Sequence, residues 1–127
     1  MSRAVGRTNE APAPVGPYSQ SMRIGLIVAA AGQGGSHPVT GELVGPGVAE
    51  QTRQALANVA AVLAASGASL DDVIKVGVFL TDPDDFAALN DVYRSVFSEP
   101  YPARTTVYVG LPDGMRVEVD AIAVLDG

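Results

Sequence analysis

Residues 73–97 read VIKVGVFLTDPDDFAALNDVYRSVF, a strand, a turn and a helix in that order. Val73 to Leu80 is rich in β-branched residues and suits a central strand. Asp82 stands where a helix cap belongs. Pro83 follows at the first helical position, and Asp84 and Asp85 fall in the first turn, where the helix dipole favours negative charge. Phe86, Leu89, Tyr93, Val96 and Phe97 recur at helical spacing, so the aromatics of this stripe are expected in the core.

Upstream, Val48 to Ser66 reads as another helix. Thr52, Ala55, Leu56, Val59, Val62 and Leu63 share one face, Glu50, Gln51, Arg53, Gln54 and Asn58 fall largely elsewhere, and Gly67 sits at the position of a left-handed C-terminal cap. A glycine- and proline-rich loop over 33–47 precedes it, and the apolar stretch Ile24 to Ala31 before that suits a buried strand. Downstream, Pro100 and Pro102 end the second helix. Strands are expected over Ala103–Val109 and Arg116–Leu125, with Gly110 to Gly114 suited to a hairpin connection.

This order predicts one α+β domain over residues 1–127, a mixed sheet covered on one face by two helices, with residues 1–10 as a loose arm. Two helices leave the other face to water or to another subunit. On the last strand Val117, Val119, Ala121 and Ala123 alternate with Glu118, Asp120, Ile122 and Val124, and the second set starts charged and ends apolar. Neither side suits water alone, so an oligomer is expected.

Composition narrows the function. The chain has no cysteine, which excludes disulfides and thiolate chemistry. Its one histidine, His37, lies in the flexible-looking loop and reads as a solvated side chain; no metal cluster is apparent around it. A net charge of −6 disfavours nucleic acid, whose phosphates call for clustered Lys and Arg. The apolar run Gly25 to Ala31 is too short to span a bilayer and no targeting segment is visible, so no membrane partner and a cytoplasmic location are expected.

Two residues stand out chemically. Arg104 follows Pro102 among small and apolar neighbours, and its planar guanidinium is suited to gripping a carboxylate through two hydrogen bonds. Glu118 lies between Val117 and Val119, where partial burial would raise its pKa and let it exchange protons near neutral pH. The residues alone slightly favour a structural Arg–Glu or Arg–Asp pair, or a surface strand with one polar side.

Four blocks, in order along the chain, resemble the RidA (YjgF-like, reactive intermediate deaminase) family. They are Gly16-Pro17-Tyr18-Ser19-Gln20; Thr40 to Val44 followed by Glu50 to Asn58; Asp85 to Tyr93; and Tyr101-Pro102-Ala103-Arg104 followed by Val117 to Val124. The resemblance implies a chorismate-mutase-like homotrimer with a site in each cleft between subunits. It also implies cofactor-free and metal-free hydrolysis of enamines and imines of small carboxylic acids, of the 2-aminoacrylate type, to 2-keto acids and ammonia. Residue by residue, it implies that Arg104 binds the substrate carboxylate and Glu118 positions water, joined by a backbone carbonyl near Thr106. Tyr18, Gly32 and Asn90 would line the pocket.

The chain departs from the family pattern at Ala31, Gly34-Gly35, Ser36-His37 and Thr106, which bears on the substrate more than on the reaction. Two other readings are a trimeric small-ligand-binding or regulatory protein without turnover, and a pathway-specific enzyme for a larger enamine or imine. RNA cleavage, ascribed to some members of the family, is opposed by the acidic balance.

Overall fold

A computed structural model describes all residues, 1–127. Strands β1 (Ala4–Gly6), β2 (Ser21–Ile24) and β3 (Ile27–Gly34) lead to helix α1 (Val48–Ala64). Strand β4 (Val73–Leu80), helix α2 (Phe86–Val96), β5 (Ala103–Tyr108) and β6 (Val117–Val124) complete the chain. The six strands form one sheet in the order β1-β2-β3-β6-β4-β5; β4 and β5 are parallel and every other pair is antiparallel. This is the expected α+β arrangement, a mixed sheet with two helices.

The inner face follows from strand alternation. Val76, Val78 and Leu80 on β4 lie beside Val117, Val119 and Ala121 on β6, and all six are buried. Ala55, Leu56, Val59, Val62 and Leu63 of α1 close over them, and Leu89, Val92 and Tyr93 of α2 extend the same cluster. The capping expected from the sequence is present: Asp82 accepts a hydrogen bond from the Asp84 N–H at 2.9 Å, and Pro83–Asp85 forms one 3-10 turn before α2 begins.

The outer face carries no helix. Ile27 is 50% exposed, Ile122 42% and Val124 38%, and they form a contiguous apolar strip across β3 and β6, where Ile27 pairs with Val124.

Four expectations are corrected. Residues 1–10 are not a loose arm, because Ala4–Gly6 pairs with Ser21–Arg23 and Thr8 is tied to Gln20 in both directions, at 2.8 and 3.0 Å. A three-residue edge strand is too short to leave a periodic signal. Ile24–Ala31 is not one strand: Gly25, at φ +57°, opens a two-residue turn that pairs Ile24 with Ile27. A glycine at the first turn position matches the twist that tight hairpins need. Strands β5 and β6 make no hairpin with each other, because β4 lies between them. Finally, Gln51 and Asn58 of α1 are fully buried.

Those two amides are buried because loop backbone needs partners. Gln51 donates to the carbonyls of Gly45 and Gly114, both at 2.9 Å, and accepts from the Arg116 N–H at 2.8 Å. Asn58 donates to the carbonyls of Gly34 and Ser36 at 3.1 and 2.9 Å. Loop carbonyls withdrawn from water demand such bonds. Arg116 is also held by a bidentate pair with buried Asp85, at 2.9 Å for each bond. We expect Gln51→Leu to lower stability by about 1–3 kcal/mol, because it strands two carbonyls and an N–H. Denaturant unfolding measures this, and a change within about 0.5 kcal/mol, the range of ordinary surface substitutions, would show that the loops do not depend on the amide.

Candidate active site

Arg104 is the second residue of β5 and the register partner of Val76, which places it on the helix-covered face. Its Nε donates to the Thr106 hydroxyl at 3.0 Å, and one Nη2 hydrogen goes to Asn90 Oδ1 at 2.8 Å. Two of five guanidinium N–H groups are thus committed to Thr106 and Asn90, leaving three, two of them on Nη1, outside those bonds. The guanidinium carbon sits 4.7 Å from the Tyr93 ring centroid and 5.7 Å from that of Phe86. Such stacking fixes the plane of the fork. A pocket of about 280 Å³ opens beside it, lined by Asn90, Tyr93, Arg94, Tyr101 and Arg104.

Tyr93 belongs to this shelf. Its hydroxyl is buried without a hydrogen-bond partner. Burial raises its pKa, and the neighbouring Arg104 opposes the rise through its charge and as a nearby donor, although no hydrogen bond of good geometry forms between them. Phe86, expected in the core, is 41% exposed and spends its ring on Arg104 instead.

Glu118 is the second residue of β6 and pairs with Phe79 and Gly34. It therefore points to the outer face, opposite to its buried neighbours Val117 and Val119. It is partly buried there. Withdrawal from water raises its pKa, and the Asp120 carboxylate, two residues along the same strand face, raises it further. The irregularity in β3 between Ala30 and Gln33 brings bare backbone under this carboxylate. A Cβ on Gly32 would stand 2.9 Å from Glu118 Cδ and Oε2, so any side chain at that position would displace the acid. Tyr18, Ala31, Gly32 and Glu118 line one cleft of about 290 Å³.

The six residues singled out from the sequence thus gather into two groups. Arg104, Thr106 and Asn90 form one, and Tyr18, Gly32 and Glu118 form the other. The groups occupy opposite faces of the sheet, and β4 stands between the strands that carry Arg104 and Glu118. This geometry removes the structural Arg104–Glu118 pair; the partners of Arg104 are Thr106 and Asn90. Thr106 acts through its hydroxyl, as a brace for the guanidinium.

Sequence reasoning missed Phe86 and Tyr93 as neighbours of the arginine. The signal available was Asn90, a polar residue at helical spacing between two aromatics. It also missed Met115, whose methyl lies over Gly34 near Glu118. His37 has a structural part, its Nδ1 accepting from the Val39 N–H at 3.1 Å. No three His, Cys, Asp or Glu side chains come together in a metal-binding arrangement, and no helix is long and apolar enough to cross a membrane.

Comparison with known proteins places this geometry in context. Residues 8–125 match the family model described as endoribonuclease L-PSP. The 2-iminobutanoate/2-iminopropanoate deaminase of Bos taurus is 44% identical over 125 residues, covering 98% of this chain and 91% of that protein. The crystal structure of RidA from the Antarctic bacterium Psychrobacter sp. superposes with a TM-score of 0.92 at 45% identity, over 96% of this chain and 99% of that one. The crystal structure of E. coli TdcF with bound serine gives a TM-score of 0.91 at 41% identity, over 97% and 99% of the two chains. A match this complete in sequence and in fold shows that the chain belongs to the RidA/YjgF-like family.

Proposed function

We propose that this protein hydrolyses the C=N bond of small 2-imino acids, formed from enamines of the 2-aminoacrylate type, to 2-keto acids and ammonia. It does so as a homotrimer, in clefts between subunits. One observation carries the reading: the carboxylate-gripping group and the proton-exchanging group sit on opposite faces of one chain, so a joint site requires two copies. The apolar strip of Ile27, Ile122 and Val124 supplies the surface that a second copy would cover. Similarity to the bovine deaminase supports the reaction class.

In this mechanism Arg104 of one subunit holds the substrate carboxylate through its uncommitted N–H groups, with Asn90 and Thr106 fixing the fork. The imine carbon then faces Glu118 of the neighbouring subunit. Glu118 accepts a proton from water as the water oxygen bonds to that carbon, and delivers it to the imine nitrogen, giving a neutral carbinolamine. Glu118 then takes the hydroxyl proton and passes it to the same nitrogen as the C–N bond breaks, so ammonia leaves and the remaining C–O bond becomes the ketone. Its raised pKa makes Glu118 a stronger base toward water than an ordinary carboxylate. Imines already hydrolyse in water, so positioning supplies much of the acceleration. The acidic balance of the chain, −6 overall, opposes the phosphodiester chemistry named in the family description.

Three outcomes test this reading. Arg104→Lys should lower kcat/KM on a carboxylated imine by about 10- to 100-fold, because an ammonium keeps the charge and loses the fork. Near wild-type turnover in that variant would remove Arg104 from the site. Glu118→Gln should lower kcat by about 100-fold, the low end for general acid–base catalysis. Affinity for a stable 2-keto acid should survive, as titration calorimetry would record. If turnover instead stayed at the wild-type level, a ligand-binding protein without catalysis would be the better reading.

The third outcome concerns pH. The carboxylate form of Glu118 is the active one, so activity should fall as pH drops through its raised pKa. Asp120→Asn removes a charge that raises that pKa, so the acid limb of the pH–rate profile should move to lower pH. A limb that stayed in place, or moved up, would assign the titration to another group.

A further inference from the structure

Tyr93 carries a hydroxyl that nothing in the fold uses. The residue is 5% exposed, its phenol oxygen is fully buried, and neither a donor nor an acceptor meets that oxygen in good geometry. The rest of the side chain works through its ring, which packs on Phe97 at 4.6 Å between centroids and lies 4.7 Å from the Arg104 guanidinium carbon. A phenylalanine would make both contacts without burying an unsatisfied polar group, which costs stability. A hydroxyl kept at that cost calls for a partner that arrives with a ligand.

The hydrogen-bond inventory of Arg104 identifies the partner. Thr106 takes the Nε hydrogen and Asn90 takes one from Nη2. With Nε committed, a carboxylate gripped through two parallel bonds takes the opposite edge, one hydrogen from Nη2 and one from Nη1. One Nη1 hydrogen is then left over. The pocket beside Arg104 is lined by Asn90, Tyr93, Arg94 and Tyr101, none of them a carboxylate. Asp91, next to Asn90 along α2, bonds instead to Arg94 at 3.0 Å. Asn90 Oδ1 is already engaged, and Tyr101 is far more exposed than Tyr93. The Tyr93 oxygen is the acceptor at hand, near enough for the guanidinium to act on it as a donor as well as a charge.

We propose that Tyr93 is a positioning residue for the substrate carboxylate: when that carboxylate occupies the Nη1–Nη2 edge of Arg104, a small turn of the guanidinium gives the last Nη1 hydrogen to the Tyr93 hydroxyl oxygen. All five N–H groups are then satisfied, by Thr106, Asn90, the two carboxylate oxygens and Tyr93. The fork is fixed in rotation as well as in plane. In the free protein no carboxylate holds the turn, and the guanidinium rests on Asn90 and Thr106 alone. The inference rests on Arg104 as the carboxylate-binding group of the proposed reaction.

The test is Tyr93→Phe, which keeps the ring and removes only the oxygen. The free variant should melt no lower than the wild type, since the hydroxyl it loses has no partner there. Affinity for pyruvate, measured by titration calorimetry, should nevertheless fall by about 10-fold, the lower end for a hydrogen bond to a charged group. On the imine generated from alanine by an amino-acid oxidase, KM should rise by a similar factor with kcat retained, because the carboxylate is held alike in the ground and transition states. In the Arg104→Lys background the same substitution should change kcat/KM by less than about twofold, since Tyr93 acts through the guanidinium. Unchanged pyruvate affinity and KM in Tyr93→Phe, or an equal loss in both backgrounds, would overturn the assignment. A lower melting temperature with a matching fall in kcat would make the hydroxyl a structural group and overturn it as well. If the wild-type protein itself neither bound pyruvate nor hydrolysed the imine, the deaminase reading would fail and take the inference with it.

Discussion

Side chains on a β-strand alternate between two faces, and here that rule separates the two groups to which the proposed reaction assigns its chemistry. Arg104 shares a face with Val76 and the helices, whereas Glu118 shares a face with Phe79 and open surface. No rotamer brings them together, because the sheet and β4 lie between them. The sheet also has more area than two helices can cover, which leaves an apolar strip along β3 and β6. In the proposed function, one geometric fact thus accounts both for a site divided between two chains and for a surface suited to joining them. Burial of that strip against a second copy would contribute to association at roughly 25 cal/mol for each Å² of apolar area removed from water.

The rest of the chain holds each half-site rigid. On one face Asn90 and Thr106 take a hydrogen bond each from Arg104, and Tyr93 and Phe86 flank its plane. On the other, the end of β3 must lie flat beneath Glu118. Asn58 holds that end by the Gly34 and Ser36 carbonyls, and Gln51 holds the loop ahead of β6 by Gly114 and Arg116. Helix α1 therefore does more than fill the core, since two of its buried amides fix the backbone that carries the acid. Positioning of this kind suits an easy reaction, in which orientation outweighs strong acid–base chemistry.

Much of the architecture is legible in the sequence because it rests on local signals. The Asp82-Pro83 cap, the stripe of α1 and the alternation of β6 each encode an element by periodicity or turn chemistry. What is not legible depends on pairing. The register of Ala4–Gly6 on β2 and the insertion of β6 between β3 and β4 are long-range facts that no local pattern states. Gln51 and Asn58 look like surface residues because their partners are loop carbonyls distant in sequence. Arg104 and Glu118 stand out as polar residues in apolar strands. That they face apart follows only from register, and the family resemblance is what ties them to one reaction.

Co-expression of Arg104→Lys and Glu118→Gln chains tests the two-chain site most directly. Each variant alone lacks one half of every site. In randomly mixed symmetric assemblies, about a quarter of the clefts would pair an intact Arg104 from one chain with an intact Glu118 from its neighbour. The account predicts that the purified mixture recovers about a quarter of wild-type kcat per site with an unaltered KM. Activity no higher than that of the two variants measured separately, in mixtures shown by mass spectrometry to contain both chains, would contradict it.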